Sequence, residues 1–139
     1  MTAYLKTSNA VTIGFLIAMA WHFGTVFGLF GTAPSNQAEM FIRLGLIIGV
    51  TIAVLFATAL TLQTKLQAPL LPDEREEKIE RLSEAAGVMT IYIGLLILAW
   101  FAFAPLSPMQ FVNGLLAVVT VTELVKLLFV LALHRRAVV

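Results

Sequence analysis

Phe41-Ile42-Arg43-Leu44-Gly45-Leu46-Ile47-Ile48-Gly49-Val50-Thr51-Ile52-Ala53-Val54-Leu55-Phe56-Ala57-Thr58-Ala59-Leu60-Thr61-Leu62 is the stretch that decides the fold. It carries a single charge, Arg43, one turn inside its start. A helix needs roughly 20 mostly apolar residues to cross about 30 Å of hydrocarbon, and this run meets that length. It is apolar without interruption, whereas the strands of a membrane barrel alternate polar and apolar positions. Moving outward along the chain, three further runs pass the same test, at about 11–30, 85–104 and 109–133. The expected fold is therefore all-α, a polytopic membrane protein of four transmembrane helices, with residues 1–139 as a single membrane domain.

Composition supports this. The chain has 139 residues, is 60% hydrophobic and only 12% charged, with a mean hydropathy of +0.95. Soluble domains are nearer half apolar and about a quarter charged, so too little polar surface is available here to face water. A net charge of +1 leaves no electrostatic footprint for nucleic acid. With no cysteine, disulfides, thiolate metal sites and cysteine nucleophiles are excluded. The first apolar run ends in Gly31-Thr32-Ala33-Pro34, which is not a small-residue cleavage pattern, so we expect a retained span rather than a signal peptide.

The connections group the spans in pairs. The polar turn from Gly31 to Ala38 and the tighter one from Pro105 to Pro108 each close a helical hairpin. Between the hairpins lies a polar segment, 65–84, that holds most of the acidic residues. Lys6, Lys65, Arg75, Lys78, Arg81, Arg135 and Arg136 fall on one side of the membrane, and Arg43 alone falls near the other. The excess of Lys and Arg predicts that both termini and the 65–84 segment are cytoplasmic. Trp100, Phe101 and Phe103 then sit at the outer interface, where aromatic rings are favoured.

Pro72-Asp73-Glu74-Arg75-Glu76 has the pattern of a helix start, with Asp73 able to cap and Glu76 completing a box three residues later. Glu74–Lys78 and Glu77–Arg81 have the spacing of helical ion pairs. One helix should run from about Asp73 through the third span, extending into the cytoplasm by a few turns. Its charged residues, Asp73, Glu74, Arg75, Glu77, Lys78 and Arg81, form either a solvated cap or a docking surface for a partner, and the cap is favoured.

Helices in lipid associate where small residues let their backbones approach. Gly45, Gly49, Ala53, Ala57 and Thr61 repeat every four residues on the second span, and Ala20, Gly24 and Gly28 do so on the first. The third offers Ala86, Thr90 and Gly94. Packing inside the first hairpin is the favoured role of these faces, ahead of a seam between two copies.

Ionisable residues within spans are costly and are functional candidates by default. Arg43, four residues after Glu39, is expected to pair with it and reach the outer interface. Glu123 and Lys126 are three apart and can touch. At about 1.5 Å per residue, Glu123 lies about 15 Å from the cytoplasmic end of its span and His22 about 17 Å from the same side. Tyr92 falls level with Lys126, and Asn113, Thr120 and Glu123 share one stripe of the fourth span. This polar cluster has three readings: a network that fixes the register of the bundle, a proton-coupling site at Glu123 and His22, or haem ligation by His22. The first is favoured, and no cofactor is expected. His134, beside Arg135 and Arg136, reads as an interfacial anchor. No catalytic residue, nucleophile motif, phosphate loop or metal-ligand spacing is visible.

Pro72-Asp73-Glu74-Arg75-Glu76 before a span, then Thr122-Glu123-Leu124-Val125-Lys126 and the closing His134-Arg135-Arg136, resembles a family of small bacterial membrane proteins of uncharacterised function. In that family a D-E-R-E segment precedes the third helix and an E-L-x-K/R element lies in the fourth. The resemblance covers about Pro72 to Arg136. It implies the fold and a bacterial inner (cytoplasmic) membrane location, and it carries no activity.

The leading expectation is a non-enzymatic small membrane protein, an accessory or assembly subunit or a homo-oligomer, whose partners are the lipid bilayer and other membrane chains or itself. The alternative is an ion-coupled transporter or channel that uses Glu123. A membrane enzyme ranks third.

Overall fold

The structure, a computed structural model, describes residues 2–65 and 71–136; the side chains of residues 3 and 65 are outside the description. Four helices account for nearly all of it: α1 (Ala3–Val26), α2 (Gln37–Lys65), α3 (Glu74–Phe101) and α4 (Pro108–Arg136). Residues 66–70, part of the expected polar segment, lie outside the described residues. At 1.5 Å per residue the 24 residues of α1 extend about 36 Å, enough to cross the hydrocarbon core. All four helices are long and apolar enough to span a membrane, and in three of them only 11% of the most apolar window is buried within the protein. Apolar faces exposed on that scale require a lipid solvent.

The chain divides into two compact units, Met1–Asp73 and Glu74–Val139, each holding one helical hairpin. The sequence reading takes residues 1–139 as one membrane domain, whereas the structure divides the chain into these two units.

Local chemistry sets the helix ends. Asn36 Oδ1 accepts the amide of Glu39 at 2.9 Å to start α2. The α4 start is a reciprocal box: Ser107 Oγ accepts from the Gln110 amide at 3.2 Å, and Gln110 Oε1 accepts from the Ser107 amide at 2.9 Å. Pro108 occupies the first helical position, where no backbone N–H is needed. The α3 helix is continuous from Glu74 through its span, as the acidic first turn predicts.

The first span differs from its expected limits. The α1 helix begins eight residues earlier than about 11, at Ala3, and ends at Val26 instead of near residue 30. Gly28 stands just beyond it with φ +72°. The Leu29 amide donates to the Gly24 carbonyl at 2.8 Å and the Gly28 amide to that of Thr25 at 3.1 Å. That is a Schellman end, and the left-handed conformation it needs favours glycine. Gly28 therefore terminates the helix and is not part of a helical packing face.

Candidate functional site

Small residues occupy two distinct surroundings. In the second hairpin they face the opposite helix. A β-carbon added at Gly94 would lie 2.7 Å from Val118 Cγ1, one at Gly87 2.7 Å from Lys126 Cδ, and one at Gly114 2.6 Å from Leu98 Cδ1. In the first hairpin Gly14 does this against Val54, at 3.2 Å. Gly24 instead receives the Phe30 ring, folded back from the turn.

Gly45 and Gly49 have nothing within 4 Å of an added β-carbon, and Ala53, Ala57 and Thr61 are exposed with them. Ala20 on α1 is exposed too. The expectation that this face closes the first hairpin is thus corrected. The covered side of α2 runs through Met40, Leu44, Ile47, Thr51, Val54 and Thr58, alternating steps of four and three. A period of 3.5 keeps a seam against a partner helix. A strict step of four drifts about 40° per repeat at 100° per residue, and here it starts on the far side.

Arg43 is also placed differently than expected. Its guanidinium does not turn to Glu39. One nitrogen donates to the Thr25 hydroxyl and the other to the Thr32 carbonyl at 2.8 Å. The guanidinium lies 4.7 Å above the Trp21 ring. The Glu39 carboxylate accepts from the amide of Ser35 at 2.7 Å and from its hydroxyl at 2.9 Å. A five-donor fork reaches several acceptors at once, and a nearby carboxylate already saturated by the turn competes poorly for it. Arg43 therefore pins the end of α1 and its turn onto α2. Trp21, Thr25 and Thr32 are the partners that sequence reasoning missed, because they are remote in the chain and bear no charge.

Of the expected polar cluster, Glu123 and Lys126 come together: Lys126 Nζ lies 3.5 Å from Glu123 Oε1, with about 30% of each side chain exposed. The stem of Lys126 lies in the space that Gly87 leaves open. The Thr120 hydroxyl donates to its own Leu116 carbonyl at 2.7 Å. Asn113 is half-buried, and Tyr92 is 63% exposed. His22 belongs to the first hairpin; it is fully buried, with its ring edge-on to Phe23 at 5.2 Å. Among the described residues no cluster of three His, Cys, Asp or Glu could hold a metal. His134 is half-buried in the last turn of α4, and its Nδ1 has no hydrogen-bond partner among the described residues.

The start of α3 has two faces. Asp73, Glu74, Arg75, Glu77, Lys78 and Arg81 are all exposed, while Glu76, Ile79, Ser83 and Gly87 are buried. Of the two expected ion pairs only Glu77–Arg81 forms, at 2.5 Å. Trp100, Phe101 and Phe103 are exposed at the turn end of the second hairpin.

Comparison with known proteins finds no matching family model, no matching curated protein and no matching solved structure.

Proposed function

We propose that this chain is a non-enzymatic protein of the bacterial inner membrane that acts by lateral association, as an accessory or assembly subunit or as a homo-oligomer. The observation that carries this is the outward face of α2. Gly45 and Gly49 open onto empty space, and Ala53 and Ala57 continue the row. Helix association in lipid depends on close backbone approach at small residues, and this row satisfies no contact within its own hairpin. By the Lys and Arg count both termini are cytoplasmic. The exposed charges of Asp73 to Arg81 then offer a second contact surface in the cytoplasm.

Mass determination of the gently solubilised chain, with identification of anything bound, is the test. Dimers or a stoichiometric foreign chain support the proposal, and Gly49→Leu should dissociate them. A monomer with no co-purifying chain would end it.

A second function, ion coupling, is favoured by one contact: Glu123 and Lys126 meet inside a span. An intramembrane carboxylate beside an amine can bind and release a proton. Flux into proteoliposomes under a pH gradient checks this, and unchanged flux in Glu123→Gln would remove Glu123 from the role.

A further inference from the structure

The first two turns of α1 are rich in hydroxyls. Tyr4, Thr7, Ser8 and Thr12 share one helical face, at the spacing that brings successive turns into line. Together with Val11 of α1 and Leu55 and Ala59 of α2, this face lines an open groove of about 450 Å³ at the N-terminal end of the first hairpin. One wall is therefore hydroxyl-bearing and the other apolar.

Thr7 is the unusual member. Thr51, Thr61, Thr64, Thr90, Thr120 and Thr122 each donate their hydroxyl to the carbonyl four residues back, and Thr25 donates to the one three back. That is the usual way to satisfy a hydroxyl in an apolar surrounding. Thr7 does not do so. The residue is 7% exposed, and its Oγ1 is buried with no hydrogen-bond partner among the described residues. A buried hydroxyl left unbonded costs free energy that a bound acceptor would recover.

We infer that this groove binds a glycerophospholipid from the leaflet facing the chain's N terminus, with its ester or phosphate oxygens accepting from Thr7 and its neighbouring hydroxyls and one acyl chain lying along Val11, Leu55 and Ala59. Depth fits this ligand. Thr7 lies about 6 Å from the start of α1, and Leu55 about 15 Å from the end of α2 at 1.5 Å per residue. The hydroxyls thus begin at the level of the glycerol backbone, and the apolar wall continues into the hydrocarbon. Water alone would satisfy Thr7 and leave the apolar wall wet. An alkyl chain alone would fill the wall and leave Thr7 unbonded. A phospholipid carries both groups, oxygens for the hydroxyl-bearing wall and an acyl chain for the apolar one.

The test is native mass spectrometry of the full chain, purified in mild detergent and incubated with dioleoylphosphatidylglycerol. One lipid per chain should survive detergent exchange. Thr7→Val keeps the shape and removes the hydroxyl, and it should lower retention roughly fivefold, the value of about one hydrogen bond. Ala59→Phe, which fills the groove, should abolish retention, and Thr61→Val, whose hydroxyl lies on the outward face, should leave it unchanged. Wild-type chain without retained lipid, or Thr7→Val retaining as much as wild type, would overturn the assignment. If Thr7→Val does not fold, as judged by helical circular dichroism, Ser8→Ala and Ala59→Phe decide, and full retention in both overturns it.

Discussion

In the second hairpin Gly87, Gly94 and Gly114 each stand where a methyl group would strike a side chain of the opposite helix, and their empty space lets α3 and α4 close along most of their length. In the first hairpin Gly45 and Gly49 face away from the partner helix, and a polar pin at the turn, Arg43 on Thr25, Thr32 and Trp21, holds α1 to α2. Two hairpins of similar size and hydropathy are thus held by different means. The second closes on glycines fitted along its length. The first has a seam of larger buried residues, Leu5, Met19, Met40 and Ile47, with Gly14 against Val54, and adds an anchor at its turn, while the glycine face of α2 stays outside that seam. Counting glycines does not reveal this difference; it lies in which side of the helix each glycine occupies.

The comparison breaks first at Arg43. Arg43→Leu removes two hydrogen bonds from a charged donor and a cation–π contact, so it should destabilise the chain by about 2–4 kcal/mol. Reversible unfolding in mixed micelles measures this, and a loss no larger than that of a surface substitution would deny the pin. In the second hairpin the matching change is Gly94→Val. Val118 meets an added β-carbon with its own stiff, branched atoms, so the helices must separate, at a cost of about 1–3 kcal/mol. Gly87→Ala should cost less, because the flexible Lys126 stem can move aside.

Gly45→Ala should have the opposite sign. It meets open space and gains helix propensity, so the isolated chain should become up to about 1 kcal/mol more stable. Association should weaken in the same variant, if the outward face is an interface, and sedimentation in detergent would show both effects. The smallest change is expected for Glu123→Gln. Polar pairs between or along membrane helices contribute on the order of 0.6 kcal/mol, and the 3.5 Å contact to Lys126 is long. A loss well above 1 kcal/mol would mark Glu123 as a structural keystone.

Much was legible in the residues alone. The number of helices, their pairing through two short turns and the continuation of the third helix from its acidic first turn all follow from local pattern. Hydropathy over some 20 residues is a strong signal because lipid allows no unpaired backbone. The capping box at Ser107 and Gln110 and the glycine end at Gly28 are short-range too, yet the sequence reading passes over the first, and the four-residue pattern sets Gly28 on a packing face instead. The Glu123–Lys126 contact follows from spacing on one helix.

Facing and partnership were decided elsewhere. A search at four-residue spacing selects Gly45, Gly49, Ala53 and Ala57, yet the seam actually formed in the second hairpin places Gly87 and Gly94 seven residues apart. That is the period of left-handed helix packing, and a four-residue search passes over it. Arg43 had a carboxylate four residues away in sequence, and only the fold of the turn could show that Ser35 had taken it. The same holds for the hydroxyl of Thr7, whose isolation depends on how α1 meets α2. Sequence determined where this chain crosses the bilayer, because solvation by lipid is settled residue by residue along one helix. Which small residues are spent inside and which are left facing out was decided by tertiary structure, because that depends on the rotation of each helix against its partner.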